Sequence, residues 1–573
     1  MMNWKHLIIL LFNGVLFFGS AAQPVLKFEE NQTLTWEETI AYYQYLDDSY
    51  PEARLTEAGT TDSGKPLHLF IISRGGIFNP EPARESGRSI LLINNGIHPG
   101  EPCGVDASLL FAEEILSNQD HYKEVLDKVI ITIIPMLNVG GALNRGNFHR
   151  ANQNGPVELG FRANAVNMDL NRDFIKLDTR NVISMVSIMQ EWDPDILIDT
   201  HTSNGSDYQY TLTVISTQRD KLNPMLSELM YEKMIPELTQ AMKESPYEII
   251  PYVMTRDGRD PKNGIVSFMD YPRYTTGYAS LFNILGFTLE AHMFKDYKDR
   301  VLSTYHFLKN ASIYLAKNSE EIDLARAVAK SQTQNKKSFV LSWEPDTSKY
   351  EFIPFRGYEI KYRTSQVTGM ETYYFDRETP WEMPVKNYSW YKPLKTAEAP
   401  DFYILPAAWK EVVERLKINE VEMYPLQKDT QMVVEYYYID EFKTVPKPYN
   451  GHYSHSGVKV RKERGPLNFL AGDLFIPLNQ EANEFIIQVL EPESTDSYFN
   501  WNFFDSILSR KEYFSPYVFD EKAFEILNSD PQLKHDFEKK RKEDDSFSAD
   551  HYSQLRYIYE RSEYSEKTLN RYP

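Results

Sequence analysis

The sequence predicts an α/β domain, with a mixed, mostly parallel sheet sandwiched by helices, followed by a β-rich C-terminal region. Three observations predict it. Short, β-branched, almost wholly apolar runs recur in the first half, at Ile90-Leu91-Leu92-Ile93, Val129-Ile130-Ile131-Thr132-Ile133-Ile134, Ile196-Leu197-Ile198 and Phe287-Thr288-Leu289; such runs suit strands buried on both faces. Helical patterns separate them, at residues 105–116, 182–190, 222–242 and 298–316, which is the alternation of an α/β layout. After residue 338 the chain turns rich in Tyr, Phe, Trp and Pro, with alternating segments such as Tyr358-Glu359-Ile360-Lys361-Tyr362 and Met432-Val433-Val434-Glu435-Tyr436-Tyr437-Tyr438, which favour strands.

Taken in order, residues 1–22 read as a signal peptide: Lys5 and His6, an apolar run of 12 residues from Leu7 to Phe18, then small residues Ser20 and Ala22 before Gln23. That run is short for a membrane span and right for a signal core, so an exported protein is expected, periplasmic or extracellular, with no transmembrane segment in the mature chain. No Cys follows the apolar core, so no lipid anchor is expected there. Thr35-Trp36-Glu37-Glu38 is a capping box that opens a helix, and because it lies close to the expected cleavage site no propeptide is expected. The domain runs from 23 to 326. Residues 318–337 are charged and polar, reading as a helix end and, over 327–337, a linker; residues 338–573 form the second region, with some helix near 408–416. The basic and acidic run at 539–545 reads as a solvated helix surface.

Composition narrows the function. The chain has 573 residues, with 42% apolar and 25% charged residues, ordinary for a folded soluble protein. With 62 basic against 82 acidic residues the net charge is −20, which argues against a nucleic-acid partner. The one cysteine, Cys103, excludes an intrachain disulfide framework and a thiolate-rich metal site. Any metal must therefore be held by His, Asp and Glu.

Gly96-Ile97-His98-Pro99-Gly100-Glu101 follows the first apolar strand directly, where an α/β sheet places its ligands. His98 and Glu101 can share one zinc. Alone, His-x-x-Glu is a weak signal; most instances are surface residues. Asp195-Ile196-Leu197-Ile198-Asp199-Thr200-His201 ends a second buried strand in a His, and parallel strands would bring His98 and His201 to the same edge. Two His, one Glu and a water make an open catalytic zinc site.

Between them lies Phe161-Arg162-Ala163-Asn164-Ala165-Val166-Asn167-Met168-Asp169-Leu170-Asn171-Arg172-Asp173-Phe174. With this segment the sequence resembles the zinc carboxypeptidase family, the funnelin metallopeptidases: His98 with Glu101, then Asp169-Leu170-Asn171-Arg172, then His201, then Phe287-Thr288-Leu289-Glu290, in the family's order over roughly half the chain. The resemblance implies a zinc metallocarboxypeptidase with one zinc per chain, hydrolysing a peptide or amide bond next to a free carboxylate. It makes Glu290 the general base, taking a proton from the attacking water and passing it to the leaving amine. Arg162 would stabilise the oxyanion, with Arg145 and Arg150 as rivals in the same loop. Asn171 and Arg172 would grip the terminal carboxylate, which an Arg fork matches bidentately, and Asp169 would orient His98. The family's loop tyrosine has three candidates, Tyr271, Tyr274 and Tyr278, of which Tyr278 is preferred because it leads into the segment before Glu290. Arg273 could add an anion contact. His292 is expected to be a neighbour of the site and Cys103 a buried small residue. The substrate is a peptide or a peptidoglycan-derived peptide; hydrolysis of peptidoglycan stem peptides or of N-acyl amino acids would use the same constellation, and a non-catalytic binding protein is the remaining alternative.

Overall fold

In a computed structural model of the chain, residues 24–573 are described; the expected signal peptide lies outside them. The capping box is present in full: the Thr35 hydroxyl accepts from the Glu38 amide while the Glu38 carboxylate accepts from the Thr35 amide, and the helix Trp36–Ser49 follows.

The first region is organised by one eight-stranded sheet. Its strands are β1 (Ala53–Thr60), β2 (Pro66–Ile72), β3 (Ser89–Asn94), β4 (Val129–Ile134), β5 (Ile196–Ser203), β6 (Leu212–Ser216), β7 (Ile249–Pro251) and, after the short β8 (Ile265–Val266) that lies outside it, β9 (Leu285–His292). The spatial order is β1-β2-β4-β3-β5-β9-β6-β7. The four apolar runs read from the sequence are its four central strands, β4, β3, β5 and β9, all mutually parallel. β2 and β6 flank them antiparallel, and β1 pairs antiparallel with β2 at the edge. Every residue of β3, β4 and β5 is buried, as expected for strands with packed layers on both faces. On one side of the sheet the core includes Phe111, Ile115, Phe287, Phe307 and Leu308. The expected helices appear at Cys103–Ser117, Arg180–Trp192 and, in place of 222–242, as Pro224–Glu228 and Ile235–Glu244 joined through a π-helical turn at Leu229–Met234.

The expected linker at 327–337 is not one. A helix runs from Tyr297 to Asn335, kinked at Asn318. Its last turns carry a buried stripe at Ile322, Ala325, Arg326, Ala329 and Thr333, spaced for one helix face. Arg326 pays for its burial with ion pairs of 2.7 Å to Asp193 and 2.6 Å to Asp195. The polar residues that suggested a linker are the solvent face of this helix.

The second region is β-rich through residue 477, in four small groups: β10 (Ser338–Pro345) with β13 (Tyr391–Glu398); the long hairpin β11 (Glu351–Thr364) and β12 (Glu371–Tyr388); β14 (Phe402–Leu405) and β15 (Tyr424–Pro425) on either side of β18 (Leu474–Pro477); and the hairpin β16 (Thr430–Thr444) with β17 (His455–Phe469). The helix expected near 408–416 is Lys410–Ile418. From Pro516 onward the chain is helical, with its own small apolar cluster around Phe519, Phe537 and Phe547. The two regions are not separately packed. One continuous core cluster joins Ile90, Leu92 and Leu197 of the sheet to Phe339, Leu416, Ile439, Ile486 and Trp501 of the second region, and β12 pairs with β8. Among the described residues no helix is long and apolar enough to cross a membrane.

Candidate active site

The strand order reverses at β3, which has β4 on one side and β5 on the other, and ligand crevices form at the carboxyl ends of strands at such a switch. His98 and Glu101 lie in the turn that leaves β3, and His201 sits near the carboxyl end of β5. The next helix starts at Cys103 and approaches β5 so closely that a Cβ on Gly104 would lie 2.0 Å from the Thr200 hydroxyl. Glycine there lets the His98–Glu101 turn sit against His201. Cys103 is buried, its thiol 3.7 Å from the His201 carbonyl.

One ligand atom from each of His98, Glu101 and His201 lies within 4.8 Å of the others. The two imidazoles present the same nitrogen to the shared carboxylate: His98 Nδ1 is 3.4 Å from Glu101 Oε1, and His201 Nδ1 is 3.1 Å from Glu101 Oε2. Their far nitrogens each meet another carboxylate, His98 Nε2 with Asp169 at 2.9 Å and His201 Nε2 with Asp199 at 2.9 Å. A carboxylate on the far nitrogen fixes ring orientation and tautomer, as metal-ligating His require. The residues fit a zinc ion by this structure alone. The donor set suits zinc, and buried His98 Nδ1 has no hydrogen-bond partner of its own, an orphan that a cation would satisfy.

The electrostatics agree. Burial alone would lower the His201 pKa, yet the Asp199 and Glu101 carboxylates hold it well above the ordinary value. Burial would raise Glu101, but His98, Arg150 and His201 hold it well below the usual carboxylate range. For Asp169, too, burial is outweighed, by His98 and Arg162, and its pKa is lowered. The cradle therefore concentrates negative charge around two imidazoles.

Glu290 is the register partner of His201 across β5 and β9. Burial pushes its carboxyl up to about 7, with His201 opposing and Glu101 adding to the rise. It lines a cavity of about 660 Å³ together with His98, Glu101, Arg162, Asn171 and Arg172. Thus His98, Glu101, Arg162, Asn171, Arg172, His201 and Glu290 line one cavity, and Tyr278 does not. Arg162 pairs with Asp169 at 2.9 Å and reaches Glu101 at 3.4 Å. Of its rivals, Arg150 also reaches Glu101, at 2.5 Å, whereas Arg145 is spent on the Thr33 and Leu34 carbonyls. Asn171 Nδ2 lies 3.5 Å from His201 Nε2, and its side-chain oxygen Oδ1 accepts from the Thr275 amide and hydroxyl.

Tyr278 is a correction. It is completely buried, packed on Phe174 and Phe282, and its hydroxyl donates to Asn419 at 2.5 Å and accepts from Gln190 at 2.9 Å. The short helix Thr275–Ala279 turns it inward and leaves Tyr274, one turn earlier, on the cavity wall, with its ring 4.8 Å from the Arg172 guanidinium. Arg273 is also withdrawn, paired with Asp496 at 2.7 Å. His292 is a neighbour only: Nε2 is 2.8 Å from the Ser206 carbonyl and Nδ1 accepts from the Phe294 amide.

Asp199 and Thr275 went unassigned in the sequence, and Arg150 was read there only as a rival to Arg162. Asp199 had a readable signal, because Asp199 and His201 are two apart on one strand and share a face. Asn94 Nδ2 donates to it at 2.8 Å and the Thr275 hydroxyl at 2.7 Å. Arg150 comes from a loop and Thr275 from the first position of the short helix Thr275–Ala279, and no local pattern says that either reaches the site.

A buried two-His, one-carboxylate cradle at a sheet switch point, with a further carboxylate in the same cavity, defines a metallohydrolase. The zinc carboxypeptidase family model matches residues 39–216, a stretch that holds His98, Glu101, Arg162, Asn171, Arg172 and His201 and stops before Glu290; the chain is a zinc metallopeptidase of the carboxypeptidase type. It is similar to carboxypeptidase 2 of Trichophyton rubrum, 20% identical over 466 residues, which cover 77% of this chain and 79% of that protein. It is also similar to carboxypeptidase 2 of Trichophyton tonsurans, 22% identical over 429 residues, covering 71% and 72%. Among solved structures, a metallo-carboxypeptidase from Burkholderia cenocepacia is similar at 18% identity and a TM-score of 0.37, covering 51% of this chain and 70% of that one.

Proposed function

We propose that the protein removes a C-terminal residue from a peptide, with one zinc held by His98, Glu101 and His201 and with Glu290 as general base. The observation that carries this reading is that Glu290 and Arg172 line one cavity with the three metal-ligand candidates. When bound, zinc would supply a Lewis acid and lower the pKa of the attacking water.

The chain's own groups divide the remaining work. Arg172 presents a guanidinium fork suited to a carboxylate, and Asn171 stands beside it. Arg162, beside Glu101, places positive charge where the scissile carbonyl oxygen would become negative. Glu290 takes the proton of the attacking water and returns it to the leaving nitrogen, a transfer worth typically 10²–10⁴-fold in rate. Asp169 and Asp199 hold the two imidazoles in the tautomer that keeps Nδ1 unprotonated. A peptide from peptidoglycan would satisfy the same anchor. Residues 1–22 support export to the periplasm or beyond.

Metal analysis and kinetics test the assignment together. Wild type should carry about one equivalent of zinc and His98→Ala close to none. Glu290→Gln should keep its zinc while turnover falls by roughly 10²-fold or more. A free-acid substrate should be cleaved far better than its amide, and Arg172→Ala should erase most of that difference. Zinc retained by His98→Ala, or near-normal turnover by Glu290→Gln, would refute the corresponding role.

A further inference from the structure

The second region touches Arg172, a residue that lines the cavity. The hairpin β16–β17 ends in a tight turn at Asn450 and Gly451, both with positive φ, +46° and +85°. This is the Asn-Gly pairing that two-residue hairpin turns favour. The turn is closed by hydrogen bonds between Tyr449 and His452, amide to carbonyl in both directions, at 2.8 and 3.1 Å.

Three residues of this tip engage the stretch from Asp169 to Asp178. The Tyr449 hydroxyl accepts from Arg172 Nε at 2.9 Å. The Asn450 side chain clamps the backbone of Asp169, its oxygen accepting from the Asp169 amide at 2.8 Å and its nitrogen donating to the Asp169 carbonyl at 3.2 Å. His452 Nε2 lies 2.8 Å from Asp178. Tyr449 is itself held, stacked on Trp501 with ring centroids 6.0 Å apart and planes at 17°.

This arrangement does more than dock two regions. Arginine has five N–H donors in a rigid fork. Here Nε goes to Tyr449 and one Nη1 hydrogen to the Asn171 carbonyl at 2.5 Å, while the Tyr274 ring lies 4.8 Å from Cζ. Both terminal nitrogens keep an N–H without a protein acceptor among the described residues, and Arg172 lines the cavity. The tyrosine thus fixes the back of the fork and leaves its end for an anion.

We propose that Tyr449 and Asn450 are positioning residues for the recognition of a substrate's free carboxylate, so that the C-terminal region completes the active site. This rests on the reading of Arg172 as the carboxylate anchor. Tyr449 acts through Arg172, and Asn450 through the backbone of Asp169, whose carboxylate orients His98.

The test uses full-length, zinc-loaded protein and one N-acetylated dipeptide that the wild type cleaves, as free acid and as amide. Tyr449→Phe keeps the ring stacked on Trp501 and removes only the phenol oxygen. It should raise KM for the free acid roughly 10-fold, the usual scale for losing a hydrogen bond to a charged group, with kcat changed little and the amide unaffected. In the Arg172→Ala background it should add nothing. Asn450→Gly removes the amide and tolerates the positive φ; it should weaken the free acid in the same sense and speed zinc loss to a chelator. Calorimetric binding of the two dipeptides to Glu290→Gln protein, with and without Tyr449→Phe, gives the same comparison without turnover. Wild-type affinity in Tyr449→Phe, or equal losses for acid and amide, would overturn the proposal while leaving Arg172 as the anchor. If Arg172→Ala itself treats acid and amide as the wild type does, the anchor reading fails and the proposal falls with it.

Discussion

The two regions bury their strands in opposite ways. In the first, β3, β4 and β5 are six to eight residues long and completely buried. In the second, β12 and β16 extend for 18 and 15 residues and are largely exposed or half-exposed. A two-stranded ribbon is marginal on its own in water. These ribbons are anchored instead where they meet the first region: β11–β12 packs Phe355 and Val385 with Tyr208 and Tyr210, and the tip of β16–β17 bonds to Arg172 and Asp169. The first region supplies a rigid ledge for the metal ligands, and the second supplies reach.

If that contrast is right, the largest effect should come from cutting it. A chain ended at residue 337 should yield no soluble, cooperatively folded protein, because one core spans Leu92, Leu197, Leu416, Ile486 and Trp501 and the cut exposes half of it. Recovery of a soluble product with a sharp unfolding transition would show that the regions are separable domains. A milder version is Leu416→Ala, at a fully buried position of the second region. It should cost about 2–5 kcal/mol and lower the midpoint of a single calorimetric transition; a second transition splitting off would mean that the core is not continuous.

The ledge can be tested on its own. Asp199→Asn should weaken zinc affinity by roughly 10–100-fold without lowering the yield of folded protein, since it disturbs the orientation of His201 and not the packing of β5. Competition with a chelator reads this directly. Unchanged affinity would mean that the Asp199–His201 contact has no part in holding metal.

The smallest effect concerns the seam. Burial would lower the pKa of His452, but its bond to Asp178 raises it above the ordinary 6.5. A raised folded value means that this contact stabilises the protein fully below pH about 6.5 and loses that contribution as pH climbs through the folded value. His452→Gln should therefore flatten the stability profile on that limb and leave the alkaline end unchanged. Denaturant midpoints across neutral pH would show it, and an unaltered slope would assign the titration elsewhere.

The same contrast explains what was legible in the sequence. β3, β4, β5 and β9 announced themselves because strands buried on both faces must be apolar throughout, and the residues just beyond them were the metal-ligand candidates. Tyr278 and Tyr274 could not be told apart, because which of two tyrosines faces a cavity depends on the phase of one short helical turn. Residues 327–335 passed for a linker because most of a half-buried helix is polar. Asn450-Gly451 is a strong local turn signal, yet nothing local says that the turn lands on Asp169, since that contact is decided by the packing of the whole second region.

Asp169 and Asn450 are 281 residues apart in the chain, whereas His98 and His201 both precede the midpoint. Synthesis from the N-terminus therefore produces every metal-ligand candidate, and Glu290, well before the turn that braces Asp169 and Arg172. Contacts of such separation form late because the intervening chain must first be ordered. A chain that stops short of residue 450 contains His98, Glu101, His201 and Glu290 but lacks the side chain that clamps the Asp169 backbone.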